Sequence, residues 1–439
     1  MKYYSTNRNT PAVSLSEAVI RGLAADKGLF MPECIHRFDA SFFDSIHHLS
    51  FQEIALEVAG HFFGEDIATE SLREIVYDTL SFDCPVVPVT GNIWSLELFH
   101  GPTLAFKDVG ARFMARMLKH FLKTQDQPVT VLVATSGDTG SAVANGFLGV
   151  EGIRVVVLYP KGKVSEIQEK QFTTLGQNIT ALEVDGTFDD CQRLVKTAFA
   201  DEALNSKMAL TSANSINVAR FLPQAFYYFN AYARLKEQGA LDGKAWVVAV
   251  PSGNFGNLTA GLFAREMGLP VTRFIAANNR NDVVFHYLKS GRYEPRPSVE
   301  TIANAMDVGH PSNFDRILDL YGNSRDTIAS IIRGYRYDDE EIRSVLSEVY
   351  EQTGYLCDPH GACGYAALHE DLREGETGTF LETAHPAKFT GTMEEILGKG
   401  IVPLPDKLAA FMKGTKQSEE IGIDYKGFRE WLHNFNLTT

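Results

Sequence analysis

The chain has 439 residues, enough for two or three domains of ordinary size, and its 44% hydrophobic and 22% charged residues supply a sizeable core and argue against global disorder. A formal net charge of −14 repels phosphate backbones and so argues against a nucleic-acid partner. An anionic small substrate would therefore have to be bound by a local positive site.

The first part of the chain contains helical patterns such as FQEIALEVAGHFF (51–63), separated by turns that contain aspartate and proline. It contains no long alternation of β-forming residues. We therefore predict a mostly helical N-terminal module over residues 1–95, followed by a second region over residues 96–439.

One lysine stands in an unusual setting. Lys107 lies in ELFHGPTLAFKDVG (97–110), an apolar segment bounded by glycines, where an ordinary surface lysine is not expected. Apolar residues then recur at helical spacing and predict a helix over residues 106–122; they are Phe106, Val109, Phe113, Met117 and Phe121. In the first turn of that helix, the positive helix end and apolar neighbours both lower the pKa of an amine. Schiff-base chemistry requires a neutral amine, whereas most lysines extend their ammonium group into water.

From residue 129 onward, short apolar runs are followed by glycine- or serine-rich turns and then by amphipathic stretches. The runs cover residues 129–135, 154–160, 179–184, 245–251, 272–278 and 378–384. Continuous apolar strands that alternate with helices indicate a parallel sheet covered on both faces, which is an α/β architecture. Ligands bind such sheets where the C-terminal ends of strands continue into loops. The segment SGRYEPRPSVE (290–300) is the best candidate for an irregular connection.

The first strand-end loop is ATSGDTGSAVA (134–144). Thr135, Ser136 and Thr139 offer hydroxyl groups, while Gly137 and Gly140 allow a ligand to approach the backbone closely. Together with the N–H groups at the start of a helix, the loop suits a carboxylate or a phosphate. The alternative is a serine-rich helix cap without a ligand.

Two later loops carry similar signals. In TSANSINVARF (211–221), Asn214, Ser215 and Arg220 could bind a second anion, although a helix cap with a solvent-facing arginine is the simpler interpretation. PSGNFGNLTAG (251–261) has the pattern of an anion-binding nest at a helix N-terminus. It contains neither G-x-G-x-x-G nor the Gly-Lys-Ser/Thr of a P-loop. A Schiff-base lysine together with a phosphate nest is typical of pyridoxal-phosphate enzymes.

The segment CDPHGAC (357–363) raises the question of a metal site. Cys357, His360 and Cys363 lack a fourth ligand nearby, so we expect no metal and interpret the segment as a glycine-rich turn before a helix in CGYAALHEDL (363–372). The five cysteines are scattered and odd in number, which is typical of a reducing compartment. No secretory signal and no apolar run of ~18–20 residues is visible, so we expect a cytoplasmic protein.

Seven segments resemble the threonine synthase family, in the family's order and over nearly the whole chain. They are FHGPTLAFKDVG, ATSGDTGSA, SANSINVAR, VPSGNFGN, NAMDVGHPSN, DPHGACGY and TAHPAKF, and the N-terminal LSEAVIRGLAADKGLFMP resembles the family's opening. The resemblance implies pyridoxal-phosphate fold type II, which is tryptophan-synthase-β-like, with parallel sheets flanked by helices. Residues 96–439 would then form a catalytic region of two α/β subdomains.

The resemblance also implies the cofactor contacts. Lys107 would form the Schiff base with pyridoxal 5′-phosphate and then act as acid and base, and Thr383 would contact the pyridine nitrogen. The cofactor phosphate would be held by Ser252, Gly253, Asn254, Phe255, Gly256 and Asn257.

Substrate contacts follow from the same resemblance. Thr135, Ser136 and Thr139 would bind the substrate carboxylate, and the substrate phosphate would be bound by Asn214, Ser215 and Arg220. Asp138 stands where many relatives of this fold carry asparagine beside the phenolic oxygen of the cofactor. An ionised aspartate would be repelled there, so Asp138 would be protonated or turned toward a backbone or cationic partner.

The implied reaction converts O-phospho-L-homoserine and water to L-threonine and phosphate by γ-elimination and β-addition of water, the last step of threonine biosynthesis. Two alternatives stay open: a related lyase that releases 2-oxobutyrate, and a non-catalytic amino-acid sensor on the same fold. We expect no nucleic-acid, membrane or obligatory protein partner.

Overall fold

The computed structural model describes residues 1–122 and 128–437. Within these ranges the strands form three sheets, and no helix is long and apolar enough to cross a membrane. The strands are β1 (Lys2–Ser5), β2 (Val13–Ser14), β3 (Phe30–Pro32), β4 (Val86–Thr90), β5 (Ile93–Glu97), β6 (Val129–Ala134), β7 (Ile153–Pro160), β8 (Ile179–Val184), β9 (Ala209–Ser212), β10 (Ala245–Pro251), β11 (Val271–Asn278), β12 (Ile332–Arg336), β13 (Glu376–Glu382) and β14 (Glu419–Ile421).

Helices connect and cover these strands. They are α1 (Leu15–Arg21), α2 (Ala40–Ser45), α3 (Phe51–Phe63), α4 (Thr69–Thr79), α5 (Lys107–Leu122), α6 (Asp138–Phe147), α7 (Glu166–Thr173), α8 (Phe188–Ala200), α9 (Glu202–Asn205), α10 (Val218–Phe221), α11 (Ala225–Glu237), α12 (Gly256–Glu266), α13 (Val283–Ser290), α14 (Phe314–Leu320), α15 (Arg325–Ile331), α16 (Asp339–Thr353), α17 (Pro359–Asp371), α18 (Thr390–Leu397), α19 (Asp406–Met412) and α20 (Tyr425–Leu437). Short 3₁₀ helices cover Ile46–His48, Leu222–Gln224, Asn304–Met306 and Pro386–Phe389.

The smaller α/β layer is a five-stranded parallel sheet in the order β14-β8-β7-β6-β9. Every residue of β6 and of β7 is buried, because helices cover both faces of the sheet. In the β6–β7 pair, Val131 lies opposite Val155. On one face α6 packs closely on α5, and a Cβ at Gly146 would lie 3.0 Å from the backbone of Ala111. Glycine therefore permits the close approach of these two helices.

The larger α/β layer is a six-stranded sheet in the order β12-β11-β10-β13-β5-β4, parallel except for β4. Ala249 of β10 lies between Ile275 of β11 and Phe380 of β13, which fixes the register at the centre of the sheet. The C-terminal ends of β10, β13 and β5 therefore lie at the same edge of this sheet.

The predicted strands are confirmed with shifts of a residue or two at their ends, and the fold is the expected α/β arrangement with a helical N-terminal region. Residues 291–303 form the expected irregular connection. The N-terminal region also holds the small antiparallel sheet β2-β1-β3, which the sequence patterns missed because its strands have only two to four residues. Strand β5 crosses the proposed boundary at residue 95 and pairs with β13, and the division into two regions stays a prediction.

Candidate active site

The N-terminus of α5 lies against the end of β13. Phe106 donates its N–H to the carbonyl of Thr383 at 2.9 Å, and His385 donates to the carbonyl of Leu104 at 3.0 Å. An isolated antiparallel bridge joins the residues between these two bonds. Lys107 and Thr383, which are 276 positions apart in the sequence, are thus held side by side at one sheet edge.

The amine of Lys107 has no hydrogen-bond or ion-pair partner among the residues described, although part of the side chain is accessible. Its pKa is lowered to about 8, mainly because the amine is removed from water; the charge of Asp138 acts to raise it, and the charges of Lys388 and Arg220 act to lower it. Helix α5 begins at Lys107, so the expected position of this lysine in the first helical turn is confirmed. An unpaired amine with a lowered pKa is suited to attack a carbonyl group.

The residue after Lys107 holds the segment before the helix in place. Asp108 accepts a hydrogen bond from the Thr103 N–H at 2.9 Å and another from the Thr103 hydroxyl at 2.7 Å. A Cβ at Gly101 would lie only 2.4 Å from the Asp108 carboxylate, so a larger residue would push it away. Sequence reasoning gave Asp108 no role, and its contacts show that it shapes the Gly-Pro-Thr turn that leads to Lys107.

The loop after β10 presents a row of free amides. In the described structure, the N–H groups of five consecutive residues, 253–257, have no acceptor. Phe255 has φ of 62°, a left-handed conformation that is uncommon outside glycine and helps to turn successive N–H groups in one direction. This arrangement is suited to a phosphate at the N-terminus of α12.

The polar side chains of this loop are used within the protein. Ser252 donates its hydroxyl to the carbonyl of Val250 at 2.7 Å, and Asn257 donates to that of Pro251 at 2.9 Å. Asn254 donates to the hydroxyl of Ser215 at 2.6 Å. These side chains shape the loop, and its free backbone amides are available to an anion.

Thr383 completes this group of residues. Its side chain is 6% exposed, and its hydroxyl has no hydrogen-bond partner in the described part of the chain. An amine with a lowered pKa, a free hydroxyl and a row of amides match the aldehyde, the ring nitrogen and the phosphate of pyridoxal phosphate. The residues present therefore fit that cofactor.

The loop after β6 differs from its expected form in one respect. The Thr135 hydroxyl accepts the N–H of Gly137 at 2.9 Å and of Gly140 at 2.8 Å, so it shapes the loop and is not free for a ligand. The hydroxyls of Ser136 and Thr139 have no partner among the described residues and stay available for a carboxylate. Contact of Ser136 and Thr139 with substrate stays a prediction, whereas the Thr135 hydroxyl is used within the loop.

Asp138 has the cationic partner that the sequence left open. The amine of Lys388 lies 2.6 Å from Oδ1 of Asp138, and the amide of Gln168 donates to the same oxygen at 2.9 Å. Burial by itself raises the pKa of Asp138, but the charges of Lys388 and Lys107 together lower it below its ordinary range. Asp138 is therefore ionised.

Lys388 is an active-site residue that sequence reasoning missed. It is 1% exposed, and it also donates to the carbonyl of Thr103 at 2.9 Å. It lies in the quoted segment TAHPAKF, directly after β13 and between apolar residues. The same signal that drew attention to Lys107, a lysine among apolar residues at a strand end, could have identified it.

Arg220 is buried, with 3% exposure, which rules out the simpler interpretation of a solvent-facing arginine. One Nη group bonds to the carbonyl of Ala213 across a short contact, while Nε is buried without a partner. The helix cap is supplied by Asn217, whose side chain accepts the N–H of Ala219. No carboxylate in the described residues is hydrogen-bonded to Arg220, so its guanidinium is available to an anion.

The loop beside Arg220 is tied to the phosphate loop. The hydroxyl of Ser215 accepts hydrogen bonds from Asn254 and, at 3.1 Å, from Asn313. Arg316 was not identified from the sequence, and it is completely buried below this loop. It donates to the carbonyls of Ser215 and Ile216. The two predicted anion-binding loops are therefore adjacent and rigidly supported.

The predicted helix after CDPHGAC is confirmed, but it begins earlier, at Pro359, so most of this segment belongs to the helix and the glycine-rich turn is not formed. Helix α17 begins at Pro359 because Asp358 caps it, and its carboxylate accepts the N–H of His360 at 2.6 Å. The same carboxylate contacts Nδ1 of His360 and accepts the N–H of Ala384 at 3.0 Å. Nε2 of His360 accepts the N–H of Ala305 at 3.1 Å. In the described structure no cluster of metal-binding side chains is found.

Similarity to known proteins agrees with this geometry. The model of the family described as pyridoxal-phosphate dependent enzyme matches residues 85–381, and the chain belongs to that family. Models of the N-terminal and C-terminal parts of threonine synthase match residues 2–80 and 361–431. Within the larger family, the chain belongs to the threonine synthases.

Individual relatives extend over the whole chain. A threonine synthase of Escherichia coli is 44% identical over 99% of this chain and 100% of its own length, and one of Serratia marcescens is 46% identical over 98% and 99%. The crystal structure of the E. coli protein superposes with a TM-score of 0.92. A structure of the Brucella melitensis threonine synthase with bound pyridoxal phosphate, 34% identical, gives 0.91 over 99% of both chains.

Proposed function

We propose that this protein converts O-phospho-L-homoserine and water to L-threonine and inorganic phosphate. Membership of the threonine synthase family supports the reaction. The observation that carries the substrate assignment is Arg220, a buried guanidinium with an unpartnered Nε. It lies in a loop separate from the five free amides of residues 253–257. One phosphate site serves the cofactor, and the second serves the substrate.

The cofactor and Lys107 have separate roles in this reaction. When bound, pyridoxal phosphate supplies an electron sink for negative charge that develops next to the substrate nitrogen. Lys107 would hold the cofactor through its amine and, once the substrate amine takes its place, would accept and return protons at the α-, β- and γ-carbons. A flexible amine with a pKa of about 8 can accept and return a proton at several neighbouring atoms near neutral pH.

The loops orient the substrate around that amine. The hydroxyls of Ser136 and Thr139 and the N-terminus of α6 bind its carboxylate, and Arg220 with Asn214 and Ser215 binds its phosphate. Thr383 would hydrogen-bond to the ring nitrogen without bringing the negative charge of a carboxylate. The phosphate leaves from the γ-carbon, and water adds at the β-carbon.

Product analysis tests this proposal. The purified protein, supplied with pyridoxal phosphate and O-phospho-L-homoserine, should release threonine and phosphate in equal amounts. Release of 2-oxobutyrate with phosphate would instead identify a lyase that does not rehydrate its product. Absence of cofactor absorption and of any turnover would favour an amino-acid sensor.

The remaining expectations extend the proposal. The chain acts on a small molecule and needs no protein partner for the reaction, and it works in the cytoplasm. The five cysteines support that compartment, since all of them are free thiols and four are buried.

A further inference from the structure

Two lysines lie in the same site, and their amines have different partners. Lys107 Nζ has no hydrogen bond or ion pair in the described structure, whereas Lys388 Nζ contacts Asp138 at 2.6 Å and the Thr103 carbonyl at 2.9 Å. Both members of the Lys388–Asp138 pair are buried, at 1% and 5% exposure. Further hydrogen bonds on each side hold this buried ion pair in a single geometry.

The pair determines which cation Asp138 binds. Asp138 faces two ammonium groups, those of Lys388 and Lys107, and both stabilise its negative charge. A buried carboxylate without a partner is strongly unfavourable. If Lys388 were absent, Lys107 would be the remaining cation of the two, and it would be drawn into an ion pair.

We propose that Lys388 is a positioning residue: by binding Asp138, it keeps that carboxylate from pairing with Lys107, so that the Lys107 amine stays available for reaction. This inference rests on the proposed function, in which Lys107 holds the cofactor and moves the substrate protons. Lys388 acts through Asp138 and through the position of the Thr103 carbonyl.

The charges around Lys107 determine the direction in which each substitution shifts its pKa. Asp138 on α6 favours its ammonium form, while Lys388 on the 3₁₀ helix and Arg220 on α10 disfavour it. Asp108, the next residue on α5, is occupied by its two bonds from Thr103. Loss of Lys388 removes a repelling cation and frees Asp138 to form an ion pair with Lys107, so the Lys107 pKa rises. Loss of the Asp138 charge has the opposite effect.

The experiment compares Lys388→Met, Asp138→Asn and the double variant, with Lys388→Arg as the conservative control. The full-length chain is freed of cofactor, and Lys107 is labelled with acetic anhydride from pH 6 to 10. Its half-labelling pH is then read by peptide mass spectrometry. The charge of Lys388 also acts on His385, so the titration of His385, followed by NMR, reports the loss of that charge independently.

Lys388→Met should raise the half-labelling pH of Lys107 by about one unit or more, which is about tenfold less reactive amine at a fixed lower pH. Asp138→Asn should lower it, and the double variant should return close to wild type. Lys388→Arg should stay close to wild type. In the reconstituted enzyme, the apparent pKa on the acidic side of the pH profile of kcat/KM should change in the same order among these variants.

An unchanged half-labelling pH in both single variants would overturn the proposal, as would a double variant shifted as far as Lys388→Met. If Lys388→Met does not fold, the other two variants decide the question, because neither leaves a buried carboxylate at this position. The proposal is then overturned if Asp138→Asn does not lower the half-labelling pH, or if the double variant does not stay close to wild type. Labelling needs no substrate, so this result is independent of which product the enzyme releases.

Discussion

Replacement of Arg220 by methionine separates substrate binding from cofactor binding. Methionine has a similar length and no charge, so it fills most of the buried space. The guanidinium is 3% exposed, and its known bond is to the carbonyl of Ala213. Nε and the second Nη group have no acceptor in the described residues, and these two donors are available to a dianionic phosphate.

The size of the effect follows from those two donors. Each charge-assisted hydrogen bond contributes about 1.5–3 kcal/mol, so the loss of both costs about 3–6 kcal/mol of transition-state binding. At about 1.4 kcal/mol per factor of ten, kcat/KM for O-phospho-L-homoserine should fall by about 100-fold or more. The cofactor should stay bound, because its phosphate site consists of the amides of residues 253–257.

The assay measures three quantities on one preparation: threonine formation, the visible absorption of the bound cofactor, and the melting temperature. Arg220→Lys keeps the positive charge but loses the forked guanidinium, so it should lie between wild type and Arg220→Met. Arg316→Met is the matched control, because Arg316 is equally buried but its donors are already bonded to carbonyls and to Asn313. It should lower the melting temperature as well as activity.

Two outcomes would refute the reasoning about Arg220. If kcat/KM stays within about fivefold of wild type while the spectrum is intact, the substrate phosphate binds elsewhere. If the cofactor absorption disappears together with activity, Arg220 belongs to the cofactor site.

Three further predictions follow from the site. Lys107→Ala should abolish threonine formation and covalent cofactor attachment without unfolding the protein, and in the wild type cofactor uptake should increase with pH through about 8; a near wild-type rate in the variant would exclude the assignment. Gly253→Val should weaken cofactor binding, measured by equilibrium dialysis, because its Cβ would lie 2.8 Å from the backbone of the 303–306 turn, whereas Gly391→Ala, with open space around it, should leave affinity unchanged. Asp358→Ala should lower the free energy of unfolding by about 2 kcal/mol or more, because it removes a buried helix cap and the hydrogen bond to Ala384 after β13. Asp338→Ala removes an exposed helix cap and should lower it by about 1 kcal/mol. Equal losses in denaturant titrations would contradict this difference.

The sequence by itself determined the local features of this protein. Strands β6, β7, β8, β10, β11 and β13 could be predicted from short apolar runs, most of them rich in β-branched residues. A few residues are enough to distinguish such a run from an amphipathic helix. The position of Lys107 at the start of α5 followed from helical spacing. The loops that follow β6, β9 and β10 followed from their glycines, hydroxyls and amides, which are short-range signals.

Only the tertiary structure decided the partners of the charged groups. Lys388 and Asp138 are 250 positions apart, and no local pattern shows that one neutralises the other. The burial of Arg220 and the support of its loop by Arg316 depend on packing between distant helices. The cap at Asp358 also bonds to Ala384 across the sheet edge, so its role exceeds that of a local helix start. Side-chain identity and spacing specify which groups can react, whereas burial and pairing, which set their charge, arise from contacts between residues far apart in the chain.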